Sequence, residues 1–216
     1  MSLWNLLFPP KCVLCGKLLE YPETDLCHQC RRDAPVVSSV KKKLPYLDSW
    51  TAVWYYEGSV RHSLLRYKFR SNRSYAACYG RLLAMNLLQE HPEGFDCLTW
   101  IPISPIRKLK RGFDQVELLA KYVGQELGIE PVRLLKKVRH NRAQAGISGP
   151  AKRKANVLGV YRSTDPEQTA GKRVLLLDDI VTTGATSGEA SRMLLNAGAK
   201  EVHLGAVAVS RHHSKK

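Results

Sequence analysis

The chain has 216 residues, 44% of them hydrophobic and 25% charged. That is enough apolar material for one α/β domain plus a small appendage, and too much for a disordered chain. Lysine and arginine exceed aspartate and glutamate by 15, which points to an anionic partner, and no apolar run approaches the roughly 20 residues of a membrane span.

Residues 1–10 carry no basic n-region and no long apolar stretch, so they do not read as a secretory signal, and a cytoplasmic protein is expected. Trp4, Leu6, Leu7 and Phe8 make an apolar patch suited to docking on the main domain or on a partner. Cys12, Cys15, Cys27 and Cys30 follow as two CxxC pairs with 11 residues between them. Each CxxC turn sets two thiolates on one side of a knuckle, and Gly16 suits the first. Two knuckles make a closed, four-coordinate structural Zn2+ site. Disulfides are the rival reading, disfavoured without a secretory signal. His28 is a surplus ligand and reads as surface. Cys78 and Cys97 read as buried small residues.

Residues 34–46, with prolines and a lysine run, read as a linker. The expected division is 1–45 for the zinc-binding module and linker, and 46–216 for the α/β domain. Residues 50–56 are aromatic and β-branched, hence a strand. Residues 60–69 and 75–90 have helical apolar spacing. A strand is expected at 97–101, then a basic loop at 102–112, a helix at 114–127 with Gly128 as its stop, and a short strand at 131–135. Residues 140–156 read as a mobile loop. Strands at 157–161, 174–177 and 202–209 complete a parallel sheet with helices on both faces.

Residues 174–186 carry the most chemistry. The apolar run 174–177 ends on two carboxylates, Asp178 and Asp179. Thr182, Thr183, Gly184, Ala185 and Thr186 form a small-residue turn, and a helix begins near Ser187. Small residues let backbone N–H groups approach an anion, Gly184 permits positive φ, and the helix presents its positive end. The turn is a monophosphate cradle, and the acids lie where vicinal sugar hydroxyls would meet them. Ribose 5-phosphate satisfies both halves.

This segment resembles the phosphoribosyl-diphosphate (PRPP) motif of type I phosphoribosyltransferases. The resemblance implies that Asp178 and Asp179 hold the ribose, with catalysis depending on them, and that residues 182–186 hold the 5-phosphate. Purine-salvage members carry Asp at the position of Thr182, so no purine acceptor is implied. The layout as a whole resembles the ComF-type proteins (ComFC and relatives), associated with DNA uptake and utilisation in bacteria. The matching pieces are the paired CxxC, residues 65–69, residues 102–115 around Arg111-Gly112-Phe113, then Gln144, Arg153 and Asn156, and residues 175–186. Asp114 stands where many members have Asn.

By the same resemblance, Arg107 and Arg111 bind diphosphate, with Mg2+ bridging its oxygens, and Arg142, Gln144 and Arg153 belong to a lid. Two functions follow. One is a PRPP-using transferase with an unidentified acceptor. The other is a non-catalytic module that binds single-stranded DNA or partners a DNA-uptake helicase. For DNA, the stretch 61–73 interleaves Arg66, Lys68, Arg70 and Arg73 with Tyr67 and Phe69, a pattern suited to phosphate pairing and base stacking.

Overall fold

A computed structural model of the chain describes residues 9–37, 43–69, 72–139 and 156–211. Four parallel strands form the main sheet in the order β1-β6-β5-β2: β1 (Ser49–Tyr55), β2 (Cys97–Trp100), β5 (Arg173–Val181) and β6 (Glu201–Val209). A separate antiparallel pair joins β3 (Leu135–Lys137) to β4 (Tyr161–Ser163).

The apolar run that opens β5 is continuous because both faces of the sheet are covered. Alternation along the strand sends Leu175 and Leu177 into one core, and Val174 and Leu176 into another. The first core lies under helices α2 (Gly58–Phe69), α3 (Tyr75–Glu90) and α5 (Gln115–Leu127), through Val60, Leu64, Tyr79, Leu83 and Val116. The second lies under α6 (Ala185–Asn196), through Ala190 and Leu194, and is closed by Leu135 and Tyr161 of the small sheet.

Residues 9–37 build the cysteine module, whose one helix is α1 (His28–Asp33). Cys12, Val13, Leu14, Leu26 and Cys27 share the first core with α2 and α3. The Val13 carbonyl accepts from Ser63 Oγ and from Arg66 Nη2, and the Leu14 carbonyl accepts from the same guanidinium at 2.6 Å. Arg81 pairs with Asp25. The chain then runs along the outer edge of β1, where Val36 bridges Trp54 and Tyr55 N–H donates to the Pro35 carbonyl at 2.7 Å. An edge strand is thereby closed.

Four local expectations change. The basic stretch expected as a loop contains helix α4 (Pro105–Arg111), capped by Ser104, opened by Pro105 and stopped by Gly112 in the left-handed region at φ 74°. Strand β5 continues past Leu177 through both acids, because Asp178, Ile180 and Val181 keep parallel partners in Ala206, Ala208 and Val209. The strand expected at 157–161 begins only at Tyr161, since Gly159 turns the chain at φ 67°. The strand expected at 131–135 lies at 135–137, and Pro131 makes one isolated bridge to Leu98.

At the amino edge of the sheet, Ser49 Oγ sits 3.0 Å from His91 Nε2 and 2.8 Å from His203 Nδ1, with the imidazole centroids 4.8 Å apart. Burial first, and His203 second, hold the pKa of His91 below its ordinary 6.5. The unfolded chain therefore takes this proton more readily than the folded one, so stability present at neutral pH is lost as pH falls below 6.5. Chemical denaturation between about pH 5 and 8 should show this decline, shallower in His91→Gln. Equal slopes in the two proteins would contradict it.

Candidate functional site

The carboxyl ends of the strands open on a pocket of about 330 Å³. Its acidic wall is Asp178 and Asp179 at the end of β5. Asp179 is buried and both its oxygens are engaged. Lys68 Nζ, from α2, pairs with Oδ1 at 2.8 Å, and Gln115 Nε2, at the start of α5, donates to Oδ2 at 2.8 Å. Asp178 Oδ1 accepts from the Asp179 main-chain N–H at 2.8 Å, and among the described residues no cation lies within ion-pair distance of Asp178. Burial first, and the neighbouring Asp179 charge second, push the Asp178 carboxyl up to about 8.

The same pocket carries cations. Arg107 and Arg111 of α4 line the pocket with Lys68 and Lys137. Burial, reinforced by Arg107, lowers the pKa of Arg111 and brings Lys137 down to about 8. The Arg111 guanidinium lies 5.0 Å over Phe69, and Lys137 Nζ 5.5 Å over Tyr161. Cations depressed by burial and by one another favour an anionic occupant.

The third wall is the turn into α6. Thr182, Gly184, Ala185, Thr186 and Ser187 line it, whereas Thr183 stands behind and accepts from the Ala185 N–H at 3.4 Å. Gly184 is the N-cap at φ 73° and has no side chain with which to cap the helix. A Cβ there would lie 2.8 Å from Leu44 Cδ2, so glycine is required by conformation and by space. Main-chain N–H groups left over at a helix start suit an anion, and this start lines the pocket.

Asp114, the departure noted in the sequence, does structural work. It is buried and caps α5 through the Val116 N–H at 2.9 Å and the Glu117 N–H at 3.2 Å. Its other oxygen accepts from the Ile103 N–H at 3.1 Å, which ties the pocket's entry loop to α5.

The structure thus brings Asp178, Asp179, Arg107, Arg111 and, of the turn residues, Thr182, Gly184, Ala185 and Thr186 to one pocket, whereas Thr183 does not line it. Arg142, Gln144 and Arg153 lie outside the described residues, as do Trp4, Leu6, Leu7, Phe8 and Arg70. Sequence reasoning missed Gln115, Lys137 and Tyr161 as pocket residues. It also read Lys68 as one of the phosphate-pairing residues of the 61–73 stretch, although its partner is Asp179. Arg66 and Arg73 are engaged as well. Arg66 holds the Val13 and Leu14 carbonyls, and Arg73 donates to the Gly112 carbonyl at 3.1 Å and stacks over Phe113.

In the cysteine module, Sγ atoms of Cys12, Cys15, Cys27 and Cys30 all lie within 4.8 Å of one another. Cys15 Sγ and Cys27 Sγ are 3.7 Å apart. Zn–S bonds of about 2.3 Å in a tetrahedron require S–S edges of about 3.8 Å, so the cluster fits the ion. Gly16 turns the first knuckle at φ 81°, and Cys27 Sγ accepts from the Cys30 N–H. His28 is exposed, while Cys78 and Cys97 are buried.

Comparison with known proteins agrees with both halves. A double zinc ribbon domain matches residues 3–41, and a phosphoribosyl transferase domain matches residues 110–216. Competence protein F of Haemophilus influenzae is 24% identical over 204 residues, 92% of this chain and 84% of that protein. Competence protein ComFC of Streptococcus pneumoniae is 32% identical, over 71% of this chain and 65% of that one. DNA utilization protein YhgH of Escherichia coli K12 is 27% identical, over 89% and 87%. Two solved structures align at TM-score 0.43 and 26% identity. They are the allosteric regulatory enzyme of purine biosynthesis and the glutamine PRPP amidotransferase from B. subtilis. The alignments cover 66% and 65% of this chain, and 29% and 30% of theirs.

Fold, pocket and cysteine cluster define a phosphoribosyltransferase-type domain joined to a structural zinc ribbon. With relatives of these names matched over 71–92% of its length, the chain is similar to the ComF-type proteins. Among the described residues no helix is long and apolar enough to cross a membrane.

Proposed function

We propose that the pocket binds PRPP or ribose 5-phosphate and that the chain is a PRPP-using protein of DNA uptake or utilisation. In this reading Asp178 and Asp179 face the ribose hydroxyls, the 182–186 turn takes the 5-phosphate, and Arg107 and Arg111 take the diphosphate. One observation carries it: an acid pair, the glycine-capped start of α6 and a cluster of half-buried cations line the same pocket. Those groups suit a sugar carrying phosphate at one end and diphosphate at the other.

The chemistry follows from charge. Breaking the bond from ribose C1 to diphosphate builds positive charge on the sugar and negative charge on the leaving group. Arg107 and Arg111 stabilise the latter, while Asp178 and Asp179 orient and stabilise the former. Mg2+ bound with the diphosphate would supply further charge neutralisation. Asp178, which has no cation within ion-pair distance among the described residues, fits a ligand that arrives with one. The acceptor is left open by these residues.

Arg107→Ala combined with Arg111→Ala is expected to weaken PRPP by about a hundredfold and ribose 5-phosphate by much less, since only PRPP carries diphosphate. Equal losses for both ligands in titration calorimetry would contradict the assignment.

A second reading, single-stranded DNA binding, is favoured by Phe69, which is 66% exposed beside Arg111 at the pocket wall. A base can stack on such a ring. On this geometry DNA would cross the pocket rim rather than follow Arg66 and Arg73. Competition between PRPP and an oligonucleotide is therefore expected; simultaneous binding would place DNA elsewhere.

A further inference from the structure

We propose that Gln115 is a specificity residue of this pocket: its side-chain carbonyl accepts a hydrogen bond from a sugar hydroxyl of the bound pentose phosphate. The proposal rests on the pentose-phosphate reading above. It begins with an orphaned atom. Gln115 lines the pocket and is 3% exposed, and its Oε1 is buried with no hydrogen-bond partner among the described residues.

The amide cannot resolve this by turning over. Its Nε2 donates to Asp179 Oδ2 at 2.8 Å, and the reverse orientation would set two acceptors face to face. Among the described residues, neighbouring donors make their bonds elsewhere. Lys68 is paired with Asp179 Oδ1, the Tyr67 hydroxyl donates to the main-chain carbonyl of Gln115 at 2.6 Å, and the N–H groups of Val116 and Glu117 go to Asp114. A buried acceptor in this state calls for a donor from outside. Phosphate oxygens accept and do not donate at neutral pH, so the phosphate ends of the ligand cannot serve. A sugar hydroxyl can, and Gln115 sits beside Asp179, one of the two acids assigned to those hydroxyls. The terminal torsion of glutamine is broad, so a small rotation suffices to meet the ligand. Lys68 and Asp179 act as positioning residues, holding the amide in the orientation that leaves Oε1 for the sugar.

Gln115→Met keeps the length and removes both polar atoms. Titration calorimetry with ribose 5-phosphate and, separately, with inorganic phosphate tests the idea. The variant is expected to bind ribose 5-phosphate about tenfold more weakly and inorganic phosphate as wild type does. Retained phosphate binding also reports an intact fold. The proposal is overturned if ribose 5-phosphate binds the variant as tightly as wild type, or if both ligands weaken together, which would make the role structural. Wild-type protein that binds no ribose 5-phosphate would end the pentose-phosphate reading itself, a different result from a variant that matches a binding-competent wild type.

Discussion

Removing zinc is expected to unfold much more than the cysteine module. Cys12, Val13 and Leu14 are almost wholly buried and share one core with Val60, Leu64 and Tyr79 of the α/β layer. Arg66 and Ser63 of α2 are satisfied by carbonyls of the first knuckle, and residues 35–37 close the edge of β1. Burial first, and the adjoining thiols second, push the Cys30 thiol up, and a bound cation would offset the crowding of thiolate charge. A structural zinc contributes apparent folding free energy of about 10–16 kcal/mol, comparable with the whole stability of about 5–15 kcal/mol of a typical domain. A strong chelator, or Cys12→Ser, should therefore lower the melting temperature by about 20 °C or more, with release of about one zinc per chain. Scanning fluorimetry with a metal-release dye measures both. Complete zinc release with an unchanged melting transition would contradict the shared core.

The adjacent acids are expected to respond in opposite directions. Asp179→Ala leaves Lys68, whose side chain is only 17% exposed, without its partner, and strips Gln115 Nε2 of its acceptor. Breaking a buried pair in this way costs about 3–5 kcal/mol. Asp178 is the reverse case. Its folded pKa is raised, so its neutral form is favoured; stability is full below the unfolded value of 3.8 and is lost as pH rises through about 8. Asp178→Asn removes that loss, and the variant should match or exceed wild-type stability above pH 8. Both substitutions should still weaken ribose 5-phosphate. Denaturant melts at neutral and alkaline pH separate the two, and a large destabilisation by Asp178→Asn would show that its carboxylate is structurally compensated after all.

Much of this could be read from the sequence because the signals were local. Helix α3 and strand β6 follow from periodicity and apolar runs that tertiary contacts reinforce. The cysteine knuckles and the 182–186 turn are short motifs whose spacing implies their geometry. What escaped was non-local. Lys68 looks like one more member of a basic stretch until α2 carries it to Asp179, 111 positions away. Lys137 and Tyr161 enter the pocket as opposed residues of the β3–β4 pair, a register not marked by either sequence segment alone. Helix α4 was legible in Ser104, Pro105 and Gly112, but its dense positive charge suggested a solvated loop. The acids continue β5 because β6 supplies partners, and the apolar run alone does not reveal them.

The most direct measurement of the central claim is titration calorimetry of PRPP with Mg2+ into the zinc-loaded full chain, alongside Asp178→Asn, with folding of each protein confirmed by its melting transition. The account predicts saturable binding of one PRPP per chain, weakened by about a hundredfold or more in the variant while its fold remains intact. No heat of binding to folded wild-type protein at millimolar PRPP, or unchanged affinity in Asp178→Asn, would contradict it.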